Sequence, residues 1–134
     1  MFTSKPIITL LLVATSATYS QKVEGETATV IRAIDGDTLK VSIDGKYETV
    51  RLIGVNAPEM KDKRPQVQCF AKEAKAKADF LLSNFDVRLE ADPSQADRDK
   101  YGRLLRYVFL KDDLFNKWII AKGYAYEYTF DRPV

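Results

Sequence analysis

Four charged side chains stand where apolar runs would otherwise continue. Asp37 opens DTLKVSI in period-2 phase with Leu39, Val41 and Ile43, and Arg51 opens RLIGV in phase with Ile53 and Val55. Arg103 opens RLLRYVFL in phase with Leu105, Tyr107 and Phe109, and Glu59 closes the second run directly after Pro58. Burying such groups singly costs on the order of several kcal/mol unless each is paired or solvated. The economical reading is that they converge on one site at the strand ends. Two arginines can hold a phosphodiester by forked hydrogen bonds as negative charge builds on its oxygens. A carboxylate such as Glu59 can orient and deprotonate an attacking water. Oxygen donors such as Asp37, Asn56 and a neighbouring backbone carbonyl suit a hard cation, Ca²⁺ above all. Taken singly, an Asp-Gly turn with a flanking aspartate is usually just a turn, and an Arg–Glu pair is usually structural.

The composition removes the competing chemistries. The chain has no histidine, which excludes His-based general bases, Ser-His-Asp triads and the usual zinc sites. Its one cysteine, Cys69, has no intramolecular disulfide partner and falls beside Phe70 in a helical pattern, where a partly buried thiol is expected. A length of 134 residues with 46% apolar content, six Gly and five Pro describes a single globular domain. The formal charge of +2 combines 21 basic with 19 acidic residues, so any field that attracts an anion must be local.

The elements that must position these residues read as a short list of strands with two helices. ETATVIRAI (26–34), DTLKVSI (37–43) and KYETVRLIGV (46–55) are strands separated by the turn pairs Asp35-Gly36 and Asp44-Gly45, which makes a meander. Pro58 ends the pairing, and MKDKRP (60–65) is a charged loop. From about Val67 to Asn84 the pattern is helical, with Phe70, Ala74, Ala78, Leu81, Leu82 and Phe85 forming one stripe. VRLEA (87–91) and RLLRYVFL (103–110) are further strands around a polar loop. Asp112 or Asp113 is expected to cap a second helix, with Leu114, Phe115, Trp118 and Ile119 on one face and Gly123 as its stop. Tyr124–Thr129 adds a last extended piece. The order β-β-β-α-β-β-α predicts a five-stranded OB-type barrel with helices, a small open α+β sheet being the alternative.

The first twenty residues read differently. A lysine near the start, an apolar stretch from Ile7 to Ala14 and then small and hydroxyl residues follow the order of a secretory signal peptide, with cleavage after Ala17 or Ser20. The apolar run falls short of the roughly 20 residues a spanning helix needs. The domain assignment is therefore 1–20 as leader and 21–134 as the mature domain, secreted to the periplasm or the extracellular space.

Together, IDGDT (34–38), RLIGVNAPE (51–59) and DKYGR (99–103) resemble the three signature segments of the staphylococcal nuclease family, in order and at fitting separations. The helices FAKEAKAKADFLL and LFNKWIIAKGYA align as well, so the likeness covers roughly residues 27 to 130. The resemblance implies an OB barrel that cuts DNA and RNA with Ca²⁺ and leaves 3′-phosphates. It implies Arg51 and Arg103 as phosphate-clamping residues, Glu59 as general base, and Asp37, Asn56 and the Ala57 carbonyl as calcium ligands. It further places Lys100 and Tyr101 on a terminal phosphate and Lys61, Lys63 and Arg64 in a basic loop beside the substrate cleft. The implied substrate is single-stranded or denatured nucleic acid, and the expected state is a monomer with no stable protein partner and no membrane attachment.

Three features depart from the family pattern. Asn56 stands where the family has an aspartate ligand, which predicts a higher calcium requirement. Tyr128 lies near the family's base-stacking tyrosines without aligning with either. The chain stops at Val134, where the family continues into a third helix, so that C-terminal helix is expected to be missing. A catalytically dead OB-type binding module is the alternative function, although dead copies are expected to lose an arginine or the glutamate, and Arg51, Glu59 and Arg103 are all present.

Overall fold

A computed structural model describes residues 3–6, 14 and 25–129. The expected leader, apart from residues 3–6 and 14, and the last five residues lie outside the described residues. Three strands form the meander: β1 (Glu26–Asp35), β2 (Thr38–Ile43) and β3 (Lys46–Leu52), each antiparallel to the next. The β2–β3 link has Asp44 at φ 49° and Gly45 at φ 79°, the paired left-handed conformation that an Asp-Gly hairpin supplies. The β1–β2 link pairs Asp35 with Thr38 across Gly36 and Asp37, one residue later than the turn read from the sequence. After a two-residue strand β4 (Val55–Asn56) come α1 (Pro65–Leu82), β5 (Asp86–Glu90) and β6 (Leu104–Leu110). A short β7 (Asp113–Leu114), α2 (Phe115–Ala121) and β8 (Tyr126–Glu127) complete the described chain, and β8 pairs with β4.

The sheet runs β3-β2-β1-β5-β6, and β3 then pairs with β6 in parallel through Val50↔Leu104, Arg51↔Leu105 and Leu52↔Arg106. That last pairing closes the five strands into the OB barrel and removes the open-sheet alternative. Leu39, Val41, Val50 and Val108 fill the interior at 0% exposure. Each such side chain contributes about 1.5–3 kcal/mol of burial.

Several local expectations are corrected. The interior face of β3 is carried by Val50 and Leu52, so Arg51 lies on the opposite face, and Gly54 at φ 74° breaks the phase before Val55 turns back inside. Helix α1 buries Ala71, Ala74, Ala78 and Leu82, whereas Phe70 and Phe85 remain exposed at 63% and 54%. At Ala74 a small side chain is required by the close approach of the β1–β2 turn. A Cβ at Gly36 would lie 2.8 Å from Cβ of Ala74 and 3.0 Å from Cβ of Ala57, leaving no room for a large side chain on that face. Cys69, one position away, is exposed and not part-buried. Helix α2 has no aspartate cap: Leu114 is its N-cap residue, and Asp113 belongs to β7. Gly123 at φ 80° does end it.

Candidate active site

Arg51 and Arg103 come together because of the barrel seam. Arg51 on β3 faces Leu105 across the parallel pairing, and Arg103 immediately precedes β6. Both line an open cleft of about 750 Å³, together with Asn56, Arg98, Asp99, Lys100, Tyr101 and Tyr128.

Each arginine is held from behind. The guanidinium of Arg51 donates to the backbone carbonyls of Leu52 and Val55, and its Nη2 lies 3.3 Å from Oδ2 of Asp37. Asp37 is 4% exposed. Its Oδ2 accepts the Ala57 N–H at 2.7 Å, and its Oδ1 accepts the Thr38 hydroxyl at 2.8 Å. Asp37 thereby ties the first signature segment to the second. Arg103 donates through Nε to Oδ2 of Asp99 at 2.6 Å, and Asp99 Oδ1 accepts the backbone N–H groups of Arg103 and Tyr101. Gly102 at φ 78° makes this tight turn possible. Burial works to raise the Asp99 pKa, but the hydrogen bonds from Arg103 and Tyr101 outweigh it and hold the carboxyl below its usual value. The turn presents Tyr101, 71% exposed, with Lys100 and Arg103 5.1 and 5.2 Å from its ring centre.

Next to this cleft is a group of carboxylates. Asp35 Oδ1 accepts the Met60 N–H at 3.1 Å. Burial raises the Asp35 pKa, and the negative charges of Asp37 and Glu59 push it further, against the Met60 hydrogen bond and Lys61. Glu59 itself is exposed in the loop after β4, 3.6 Å from Lys61, and is not among the residues lining the cleft. Lys63 is exposed in the same loop, and Arg64 pairs with Asp62 at 2.8 Å at the start of α1. Neither Lys61 nor Lys63 lines the cleft.

The donor set is all oxygen: the carboxylates of Asp35, Asp37 and Glu59, the exposed Asn56 amide and the Ala57 carbonyl. Among the described residues, no three acidic side chains are grouped tightly enough to enclose an ion. Such a set suits a hard cation that keeps part of its water shell, and the crowding of negative charge around half-buried Asp35 is what a cation would relieve. Sequence reading missed Asp35 and Asp99. Both had a signal, since each is an acidic residue just before a turn in a signature segment. It also missed Asn116 on α2, 3% exposed, which accepts the Val108 N–H at 2.8 Å and donates to the Ile53 carbonyl at 2.9 Å. No periodicity marks Asn116 as anything but a surface amide.

Comparison with known proteins gives the family. The chain is 43% identical to a thermonuclease of Staphylococcus hyicus over 108 residues, 81% of this chain and 62% of the relative. It is 44% identical to a thermonuclease of Staphylococcus intermedius over 106 residues, 79% and 62% of the two chains. The endonuclease YncB of Bacillus subtilis (strain 168) is 39% identical over 97 residues, 72% of this chain and 46% of that protein. The chain thus spans less than two thirds of the length of these relatives. Residues 49–134 match the family described as staphylococcal nuclease homologue, and with the closed barrel and its three signature segments the chain belongs to that family.

Proposed function

We propose that the chain is a calcium-dependent nuclease that hydrolyses phosphodiester bonds of DNA and RNA and leaves 3′-phosphates. The observation that carries this reading is that Arg51 and Arg103 line one cleft at the β3–β6 seam, which also holds Lys100 and Tyr101. The two guanidiniums would clamp the scissile phosphate through forked hydrogen bonds, strongest as charge accumulates on its non-bridging oxygens. Asp37 and Asp99 fix their aim, so little reorganisation remains when the strand arrives. Glu59 would accept a proton from the attacking water. The P–O5′ bond then breaks, and the departing oxygen takes a proton from the solvent that fills the open cleft. Lys100 and Tyr101 would hold a neighbouring phosphate. Ca²⁺, when bound by Asp37, Asn56 and the Ala57 carbonyl with Asp35 beside them, supplies charge neutralisation for the phosphate. An open cleft with exposed aromatic and basic groups suits a single or denatured strand, taken by a monomer.

The test is hydrolysis of heat-denatured DNA by the folded mature chain, with Ca²⁺ and with chelator. Calcium-dependent cleavage is expected, falling by about 10²–10³-fold in Arg103→Ala and by a comparable factor in Glu59→Ser. A folded parent that binds the strand and leaves it intact would replace this reading with that of a binding module. We infer further that residues 1–20 are a secretory leader. Mass spectrometry of the exported protein should then find a mature chain beginning near Gln21, and an intact Met1 on exported protein would contradict it.

A further inference from the structure

The cleft does not end at Tyr101. A recess of about 330 Å³ continues past it over the outer face of the β2–β3 hairpin, lined by Lys40, Tyr47, Glu48, Thr49, Tyr101 and Arg103. Tyr101 and Arg103 line both spaces, so the two adjoin at these side chains. Alternation along β3 puts Tyr47, Thr49 and Arg51 on one face. Tyr47 therefore lies about 13 Å along the strand from Arg51, at roughly 3.3 Å per residue. Its ring is 69% exposed, with the Lys40 ammonium 5.1 Å from the ring centre. That contact steadies the aromatic plane and leaves most of it open to solvent. The one carboxylate in the recess, Glu48, is engaged by Arg98 through two hydrogen bonds of 2.9 Å each, so its charge is met within the protein. What remains for a ligand is an open aromatic ring with cationic groups at both ends of the recess.

We propose that Tyr47, flanked by Lys40, forms an outer subsite that stacks one base of a single strand whose scissile phosphate lies between Arg51 and Arg103. The inference rests on the nuclease reading of the cleft. An aromatic face accepts any of the four bases and a lysine meets the backbone without reading sequence, so the subsite lengthens the footprint and adds no sequence preference. Its effect is confined to substrates long enough to reach past Tyr101.

The test compares binding of (dT)8 and (dT)2 to the full folded chain in chelator, by competition against a dye-labelled (dT)8. In the parent, (dT)8 is expected to bind more tightly. In Tyr47→Ala the ratio of the two affinities should shrink by about tenfold, within the range one base–aromatic stack supplies, and Tyr47→Phe should restore it. Tyr47 is exposed, so these substitutions should leave the fold intact, which circular dichroism checks. An unchanged ratio in Tyr47→Ala, with both oligonucleotides weakened in Arg103→Ala, would overturn the subsite and leave the cleft reading standing. Tyr47→Phe as weak as Tyr47→Ala would overturn stacking. A folded parent that binds neither oligonucleotide in chelator but cleaves denatured DNA with Ca²⁺ would overturn the subsite alone, and one that neither binds nor cleaves would overturn both readings together.

Discussion

Asn56 sits on the rim of the cleft, exposed, one residue before the Ala57 N–H that holds Asp37. An amide there keeps an oxygen donor and gives up one negative charge. Calcium affinity rises with the charge of its ligands, so Asn56→Asp should lower the calcium concentration for half-maximal cleavage without a comparable change at saturation. Calcium titration of both proteins decides this, and coincident curves would remove position 56 from the ligand set. The same residue-scale logic separates the two arginines. Arg51 is 16% exposed in its side chain and joined to a buried carboxylate, whereas Arg103 is 30% exposed and paired with Asp99 from its own turn. Loss of Arg51 therefore leaves the buried Asp37 charge less well met, which mixes a stability cost with any loss of activity. Arg103→Ala is the cleaner probe.

Between elements, the contacts that matter are single side chains bridging strand and helix. Asp79 on α1 accepts the Ala33 N–H of β1 at 2.7 Å and the Ser83 hydroxyl at 2.7 Å. The pairing of β1 with β2 shifts register between Ala33 and Asp35, so the Ala33 amide is satisfied by the helix and the turn bearing Asp35 and Asp37 is aimed by it. The Ser83 hydroxyl and then the Ala33 amide hold the Asp79 pKa below 3.8. A carboxyl whose folded pKa is depressed contributes stability that is present above its unfolded value and is lost as pH falls through the folded value. The contribution of Asp79 should accordingly be full at neutral pH and decline once pH falls below about 4, towards the folded value. Urea midpoints of the parent and Asp79→Ala should differ at pH 7 and draw together as pH falls below about 4, and a gap that stays constant with pH would show that the charge is not what acts.

At the scale of the molecule, the cleft depends on closing the barrel, because Arg51 on β3 and Arg103 just before β6 are brought to one place by strands that meet only at the seam. Helix α2 secures it through Asn116, whose amide spans the Val108 N–H on β6 and the Ile53 carbonyl after β3. The Ile53 N–H also bonds the Arg106 carbonyl at 3.0 Å, so the seam continues one residue past the strand. Asn116→Leu removes the partner of the buried Val108 N–H, at about 1–3 kcal/mol, and that of the part-buried Ile53 carbonyl. Thermal unfolding of this variant should show a drop of several degrees or more, together with reduced cleavage. An unchanged Tm would mean that the seam holds without the amide.

Much of this was legible before folding was considered. Strand and turn order follow from period-2 alternation and Asp-Gly pairs, which are local properties of the chain, and the charges that break apolar runs marked Asp37, Arg51 and Arg103. The face that each residue occupies was less accessible. Arg51 reads as sharing a face with Val55 until the left-handed Gly54 inserts a turn between them. The stripe expected on α1 is buried at Ala74, Ala78 and Leu82 and exposed at Phe70 and Phe85, and the nearness of Gly36 is what requires a small side chain at Ala74. Asn116 carries no signal, because a buried amide differs from a surface amide only in what tertiary contact puts around it. The sequence alone thus determined the elements, the family likeness and the charged residues, since propensity and spacing act over a few residues. The tertiary structure decided that Arg51 and Arg103 face one cleft, because a parallel pairing of strands some fifty residues apart leaves no periodicity in the chain.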